Sequence, residues 1–137
     1  MQRTLALIKP DAYAAGHQGA IIARIQESGL KVIGLKVLHL TEAQAQGFYH
    51  VHKERPFFGD LVKFMTEGKI VAMVLEGDGA IKRWRDLMGP TDATKAEKGT
   101  IRGDFGTSIE RNASHGSDAV DTAAFEVGYY FAGLELA

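Results

Sequence analysis

Ile70-Val71-Ala72-Met73-Val74-Leu75 is an unbroken apolar run, and its reading decides the fold. A strand with one wet face alternates apolar and polar residues. A continuous run indicates a strand buried on both faces, inside a sheet rather than at its rim. Upstream, Phe58 to Thr66 reads as a helix with Leu61, Val62 and Met65 inward. Thr41 and Gln44 have the spacing of a capping box and open an earlier helix that runs to about His50. Leu30 to Leu40, rich in Val, Leu and Ile, reads as a long strand. Gly19 to Ser28 carries Ile21, Ile22 and Ile25 at helical spacing, with Gly29 closing it. Arg3 to Lys9 reads as the first strand, stopped by Pro10-Asp11.

Downstream of the run, Ala80 to Met88 is again helical, and Gly89 to Phe105 reads as a long loop of turn formers and charges. After a short segment, Ser117 is expected to cap a last helix from about Asp118 to Phe131, with Ala124, Val127, Tyr130 and Phe131 packed. Three or four strands with helices on one face make an α+β sandwich. The order favours a ferredoxin-like βαββαβ core with a four-stranded antiparallel sheet. No repeat or linker divides the chain, so residues 1–137 are read as a single domain.

Composition narrows the function. The chain of 137 residues is 45% apolar and 24% charged, values of a globular protein. Its apolar runs are far too short to cross a bilayer, and the N-terminus enters a strand directly, so no secretory leader and no membrane association are expected. There is no cysteine, which removes disulfides, thiolate nucleophiles and thiolate metal sites, and fits a cytoplasmic location. A net charge of −1 argues against a dedicated nucleic-acid binder.

Several motifs fail on inspection. Gly29 and Gly34 have Walker-like separation, but Leu35 stands where lysine is needed, and no G-x-G-x-x-G follows a strand. Asp104-Phe105-Gly106 matches a kinase magnesium triplet without the H-R-D loop that must accompany it. His50 and His52 lie two apart near a helix end, where they do not share a face, and no further ligand has suitable spacing. Ser114, His115, Ser117 and Asp118 include the members of a hydrolase triad, but such triads are assembled from separated segments.

Other features survive. Lys9, Arg55, Arg85 and Arg102 stand at predicted element ends or in a loop, in a chain without basic excess. Arginine's planar fork suits phosphate oxygens. Arg55-Pro56-Phe57-Phe58 places a cation beside two aromatics, one of them expected at the surface, as a stacking site for a nucleobase requires. The stretch Asn112-Ala113-Ser114-His115-Gly116-Ser117-Asp118 packs one histidine among small and polar residues. Small neighbours leave an imidazole reachable, and polar ones fix its tautomer. A neutral imidazole attacks phosphorus without a separate base and releases the phosphoryl group again, because a P–N bond is labile. Glu126, on the last helix, is placed to return toward the ring and orient it together with Ser117.

With those residues in view, the sequence resembles the nucleoside diphosphate kinases along essentially its whole length. The resemblance rests on Thr4 to Asp11, on Tyr49 with His52-Lys53-Glu54-Arg55-Pro56-Phe57-Phe58, on Gly99 to Phe105 and on Asn112 to Asp118. It implies a ferredoxin-like core and a ping-pong reaction, in which ATP or another nucleoside triphosphate phosphorylates His115 and a nucleoside diphosphate collects the group. By the same resemblance Ser117 and Glu126 orient the histidine and Tyr49 lines its pocket. Arg55, Arg85, Thr91 and Arg102 hold phosphates with His52 nearby, and Lys9 and Asn112 take the sugar hydroxyls. Phe57 stacks on the base, with Leu61 and Ile109 in apolar contact. Magnesium is implied on the nucleotide phosphates, not in a protein cage. A homo-oligomer built from dimers, a tetramer or a hexamer, is also implied. Two departures touch that assembly: Thr91 to Lys98 lacks the prolines many members carry, and the sequence stops at Ala137 without the extension of some members. The competing reading is a nucleotide-binding regulatory module without turnover, which needs the arginines and Phe57 but not the setting of His115.

Overall fold

A computed structural model describes residues 1–136; Ala137, where the sequence stops, lies outside the described residues. Four strands form one sheet in the order β2-β3-β1-β4: β1 (Gln2–Ile8), β2 (Lys31–Leu38), β3 (Ile70–Gly77) and β4 (Ser114–Gly116). Each neighbouring pair is antiparallel, and order and direction are those of a ferredoxin-like sheet. The helices are α1 (Pro10–Ala14), α2 (Gln18–Glu27), α3 (Glu42–Phe48), α4 (Phe58–Thr66), α5 (Ala80–Met88), α6 (Ile101–Phe105) and α7 (Val120–Tyr130).

The apolar run of β3 is covered on both faces, which corrects the expectation of helices on one face. Successive side chains of a strand point to opposite faces. Ile70, Ala72 and Val74, with Leu5 and Leu7 of β1, pack under Phe48 of α3, Val62, Phe64 and Met65 of α4 and Tyr130 of α7. Val71, Met73 and Leu75, with Ala6 and Ile8, pack under Ile21 and Ile25 of α2, Trp84 and Met88 of α5 and Ile101 of α6. One helix layer would have left half of this apolar run in water.

Several elements depart from the sequence reading. Pro10-Asp11, expected only to stop the first strand, opens helix α1, since proline at the first position suits a helix start. The expected loop 89–105 contains a 3-10 turn at Ala93–Lys95 and helix α6, whose N-cap Thr100 accepts a hydrogen bond from the Gly103 N–H. Helix α7 begins at Val120, not at Asp118, and Ser117 does not cap it. Its N-cap is Ala119, whose N–H is taken by the Thr122 hydroxyl at 2.9 Å. Ala123 of this helix is buried, whereas Ala124, expected to pack, is exposed. The capping box of α3 is as expected: Gln44 N–H donates to Thr41 Oγ1 at 3.1 Å and Thr41 N–H to Gln44 Oε1 at 2.9 Å.

Candidate functional site

Strand β4 carries His115. It pairs with β1 so that His115 stands opposite Leu7, with Ser114 opposite Ile8 and Gly116 opposite Ala6. The imidazole therefore lies on the face of Leu7, edge-on to Phe48 with ring centroids 5.5 Å apart. Ser114 and Gly116 face the opposite layer. There a Cβ on Gly116 would lie 2.6 Å from Trp84 Cδ1 and 2.6 Å from Met88 Cε, a gap only glycine fits. Trp84 also fixes the strand, its indole N–H donating to the His115 carbonyl at 3.1 Å.

Helix α7 returns Glu126 to this point. His115 Nε2 lies 2.9 Å from Glu126 Oε1, and the Ser117 hydroxyl donates to the same oxygen at 2.8 Å. Ser117 Oγ in turn accepts from the Leu5 N–H at 3.2 Å, so the hydroxyl expected at a helix start joins Glu126 to β1. Burial opposes ionisation of Glu126, but the hydrogen bond of His115, its charge whenever the ring is protonated, and the hydroxyl of Ser117 outweigh it and hold the carboxyl below its ordinary range. A carboxylate can only accept, so Nε2 carries the proton and Nδ1 keeps the lone pair. Among the described residues no protein group bonds Nδ1.

In front of the imidazole lies a cleft of about 570 Å³ lined by Lys9, Tyr49, His52, Phe57, Leu61, Arg85, Thr91, Arg102, Ile109, Asn112 and His115, a volume in the range of small-molecule sites. Thus the structure brings together most of the residues singled out in the sequence. Ser117 and Glu126 stand behind the histidine. Arg55 is not on the lining; it sits in the exposed turn before α4.

The cations are held in different ways. Arg102, buried, donates from Nη1 to the Gly89 carbonyl and from Nη2 to the Ser114 carbonyl, each at 3.0 Å. Burial and the nearby Arg85 lower its guanidinium to about 10. Lys9 Nζ donates to Asn112 Oδ1 at 2.9 Å; burial first, then Arg102, lower its ammonium to about 8. An anion bound in the cleft would offset both shifts. Arg85 donates to Asp118 Oδ1 at 2.6 Å. Asn112 Nδ2 donates to the carbonyls of Thr91 at 2.9 Å and Ile109 at 3.1 Å, tying the two loops that flank the cleft. Phe57 is 48% exposed and tilted against His52, ring centroids 5.6 Å apart. Phe58 packs against the core under α4. The Tyr49 phenol is buried without a partner among the described residues, and burial raises it above the ordinary tyrosine range.

Asp60, Glu110, Gly116 and Asp118 also line the cleft and were not singled out as site residues. Asp60 stands three residues after Phe57 on the same helical turn, and Glu110 adjoins Ile109 and Asn112, so spacing was the available signal. From sequence Asp118 is expected only as a helix start. Its partner Arg85 lies 33 residues away, and no local pattern joins them.

A family model described as nucleoside diphosphate kinase matches residues 2–136. The chain belongs to the nucleoside diphosphate kinase family. A nucleoside diphosphate kinase of Syntrophotalea carbinolica is 65% identical over 136 residues, covering 99% of each chain. That of Oleidesulfovibrio alaskensis is 56% identical over 135 residues, 98% of this chain and 97% of the relative. Among solved structures, the Aquifex aeolicus nucleoside diphosphate kinase superposes with a TM-score of 0.97 at 45% identity, covering 99% of both chains. A halophilic nucleoside diphosphate kinase of Halobacterium salinarum, solved in complex with CDP, gives 0.95 at 41% identity over 99% of this chain and 91% of that one. Agreement with these kinases over the whole length supports an enzyme of nucleotide metabolism, a phosphotransferase, and does not favour a regulatory module without turnover.

Proposed function

We propose that His115 Nδ1 is the phosphoryl carrier of a ping-pong nucleoside diphosphate kinase reaction. The observation that carries the reading is the Ser117–Glu126–His115 chain, which leaves one lone pair on the ring at the base of a cleft lined by Lys9, Arg85 and Arg102. In the first half-reaction Nδ1 attacks the γ-phosphorus, the P–N bond forms, and the bond to the β–γ bridging oxygen breaks as the nucleoside diphosphate leaves. The ring gains positive charge and keeps its proton on Nε2, where Glu126 stabilises it. In the second half-reaction a β-phosphate oxygen of another nucleoside diphosphate attacks the phosphorus and the P–N bond breaks. No proton is transferred in either step.

Arg85, Arg102 and Thr91 hold the phosphates, with Arg55 in the exposed turn between the lining residues His52 and Phe57. Lys9 and Asn112 bind the sugar hydroxyls, His52 and Tyr49 flank the reacting phosphate, and Phe57 stacks the base against Leu61 and Ile109. Contact through a ring face tolerates many bases, in keeping with the CDP bound by the Halobacterium salinarum relative. Magnesium is placed on the nucleotide's own phosphates. When bound there it would supply charge neutralisation for the phosphoryl group.

We place the enzyme in the cytoplasm, as one domain and as a homo-oligomer built from dimers. Edge strand β2 carries Leu35 and Val37, each 49% exposed, an apolar pair suited to a second copy. No described helix is long and apolar enough to cross a membrane. The test of the mechanism is labelling. With γ-labelled ATP and magnesium the protein should acquire an acid-labile, base-stable label that GDP discharges as labelled GTP. Absence of label, or equal labelling of His115→Ala, overturns it.

A further inference from the structure

Strand β4 is three residues long and pairs along one edge only, so its own ladder fixes its register weakly. A slip by one residue moves every side chain of a strand to the other face. For His115 that means leaving Glu126 and the cleft for the gap beside Trp84 and Met88, where even a Cβ does not fit. On its C-terminal side the strand is held by Trp84 on the His115 carbonyl and by Ser117 N–H on the Leu5 carbonyl at 3.3 Å.

Its entry is held differently. Ala113 has φ +73, and no other described non-glycine residue has a positive φ. Ser114 N–H donates to the Asn112 carbonyl at 2.9 Å, which closes a γ-turn of the strained kind around Ala113. Such a turn persists only where its surroundings over-determine it. The end of β1 and the start of α1 do so: Lys9 N–H donates to the Ala113 carbonyl at 2.9 Å, and Ala113 N–H donates to Asp11 Oδ2 at 3.1 Å. Asp11 Oδ1 is buried without a partner among the described residues.

We infer that Asp11 is a positioning residue, whose carboxylate clamps the strained turn at Ala113 and so keeps β4 in the register that presents His115 to the cleft. The inference rests on His115 being the phosphoryl carrier. Asp11 does not line the cleft; it acts through the backbone two residues before the nucleophile. Loss of the clamp lets the turn relax toward ordinary backbone angles, and the imidazole moves with it. A glycine at 113 adopts the positive φ without penalty and needs the clamp less.

The experiment measures labelling of His115 by γ-labelled ATP in single turnover at saturating nucleotide, together with equilibrium nucleotide binding and the imidazole NMR signals. Asp11→Ala should label roughly tenfold to a hundredfold more slowly than the unsubstituted protein, the loss expected for a nucleophile displaced by about an ångström. Nucleotide affinity should hold within about threefold, because the Asn112 side chain is anchored independently by two loop carbonyls. Asp11→Asn, which keeps an acceptor, should stay near the wild-type rate, and adding Ala113→Gly to Asp11→Ala should restore most of the loss. The His115 ring signals should shift or double in Asp11→Ala and return in the double variant.

Labelling of folded Asp11→Ala at the wild-type rate overturns the inference, as does a slow variant that Ala113→Gly leaves slow. Should Asp11→Ala fail to fold, Asp11→Asn and the double variant carry the test, and slow labelling of either overturns it. An unsubstituted protein that takes no label on His115 sinks the proposed function instead, so the two failures are distinguishable.

Discussion

Replacing Glu126 by glutamine isolates the charge behind the nucleophile. The carboxylate oxygen Oε1 accepts from His115 Nε2 at 2.9 Å and from Ser117 Oγ at 2.8 Å. The two side chains of the pair are only 21% and 16% exposed, so water screens their interaction weakly. Because Glu126 is held below the ordinary carboxylate range, it is ionised throughout the neutral region. Attack by Nδ1 makes the ring cationic, and the carboxylate then faces a full charge that is absent in the ground state. Glutamine preserves the shape and an acceptor but removes the charge. Hydrogen bonds to charged groups contribute about 1.5–3 kcal/mol against about 0.5–1.5 kcal/mol for neutral ones, a difference of about 1–2 kcal/mol. At about 1.4 kcal/mol per decade, Glu126→Gln should slow single-turnover labelling of His115 roughly 5- to 30-fold. Nucleotide affinity should not change, since Glu126 is not on the cleft lining. Glu126→Ala also strips the acceptor from two donors and should be slower still. Rapid-quench measurement at saturating ATP gives the rates directly. Glu126→Gln labelling as fast as the unsubstituted protein, or faster labelling of Glu126→Ala than of Glu126→Gln, refutes charge stabilisation at this position.

The remaining predictions concern binding and stability. Phe57→Ala should weaken ADP, GDP and CDP alike, by about 1–3 kcal/mol in equilibrium titrations, and a loss confined to purines counts against stacking through the exposed ring. Lys9 is lowered to about 8 from 10.5, so between those values the unfolded chain binds more protons than the folded one and stability rises with pH across that window. Below it the penalty is fully present, and Lys9→Met should stabilise the nucleotide-free protein there by on the order of 1–3 kcal/mol in urea melts, with the gain vanishing above the window. Equal gains at neutral and high pH would show that the lysine is not the titrating group. Gly116→Ala drives a methyl group to 2.6 Å from Trp84 Cδ1 and from Met88 Cε, an overpacking of about 1–3 kcal/mol. For a chain of this size thermal unfolding should fall by roughly 3–10 °C, and an unchanged melting temperature would mean that α5 yields freely.

What the sequence disclosed follows from the range of the forces involved. Ile70 to Leu75, Ile21 with Ile25, and Thr41 with Gln44 are periodic or capped over one element, so their structure was readable locally. Helix α1, helix α6 and strand β4, of five, five and three residues, are too short to show a period, and tertiary contacts define them. The second helix layer was already implied by the unbroken apolar run of β3, but no local count assigns helices to faces. At the site, Lys9, Phe57, Arg85, Arg102 and His115 were visible because cations, an aromatic and a nucleophile are distinctive residue types at element ends. Ser117 shows the limit. As a small hydroxyl residue before a helix it had the chemistry of an N-cap, and the helix nevertheless starts three residues later, because its oxygen bonds Glu126, nine positions on, and the Leu5 N–H, 112 positions back. Asp11 is the same case in reverse: beside Pro10 it reads as a turn residue, and only the fold brings it to Ala113, 102 positions away. The groups that perform chemistry are therefore legible by type, whereas the groups that hold them in register lie on the strand or helix that happens to pass behind. A search for such positioning residues in a chain of this fold begins along β1 and the start of α1, which together face every residue from Asn112 to Ser117.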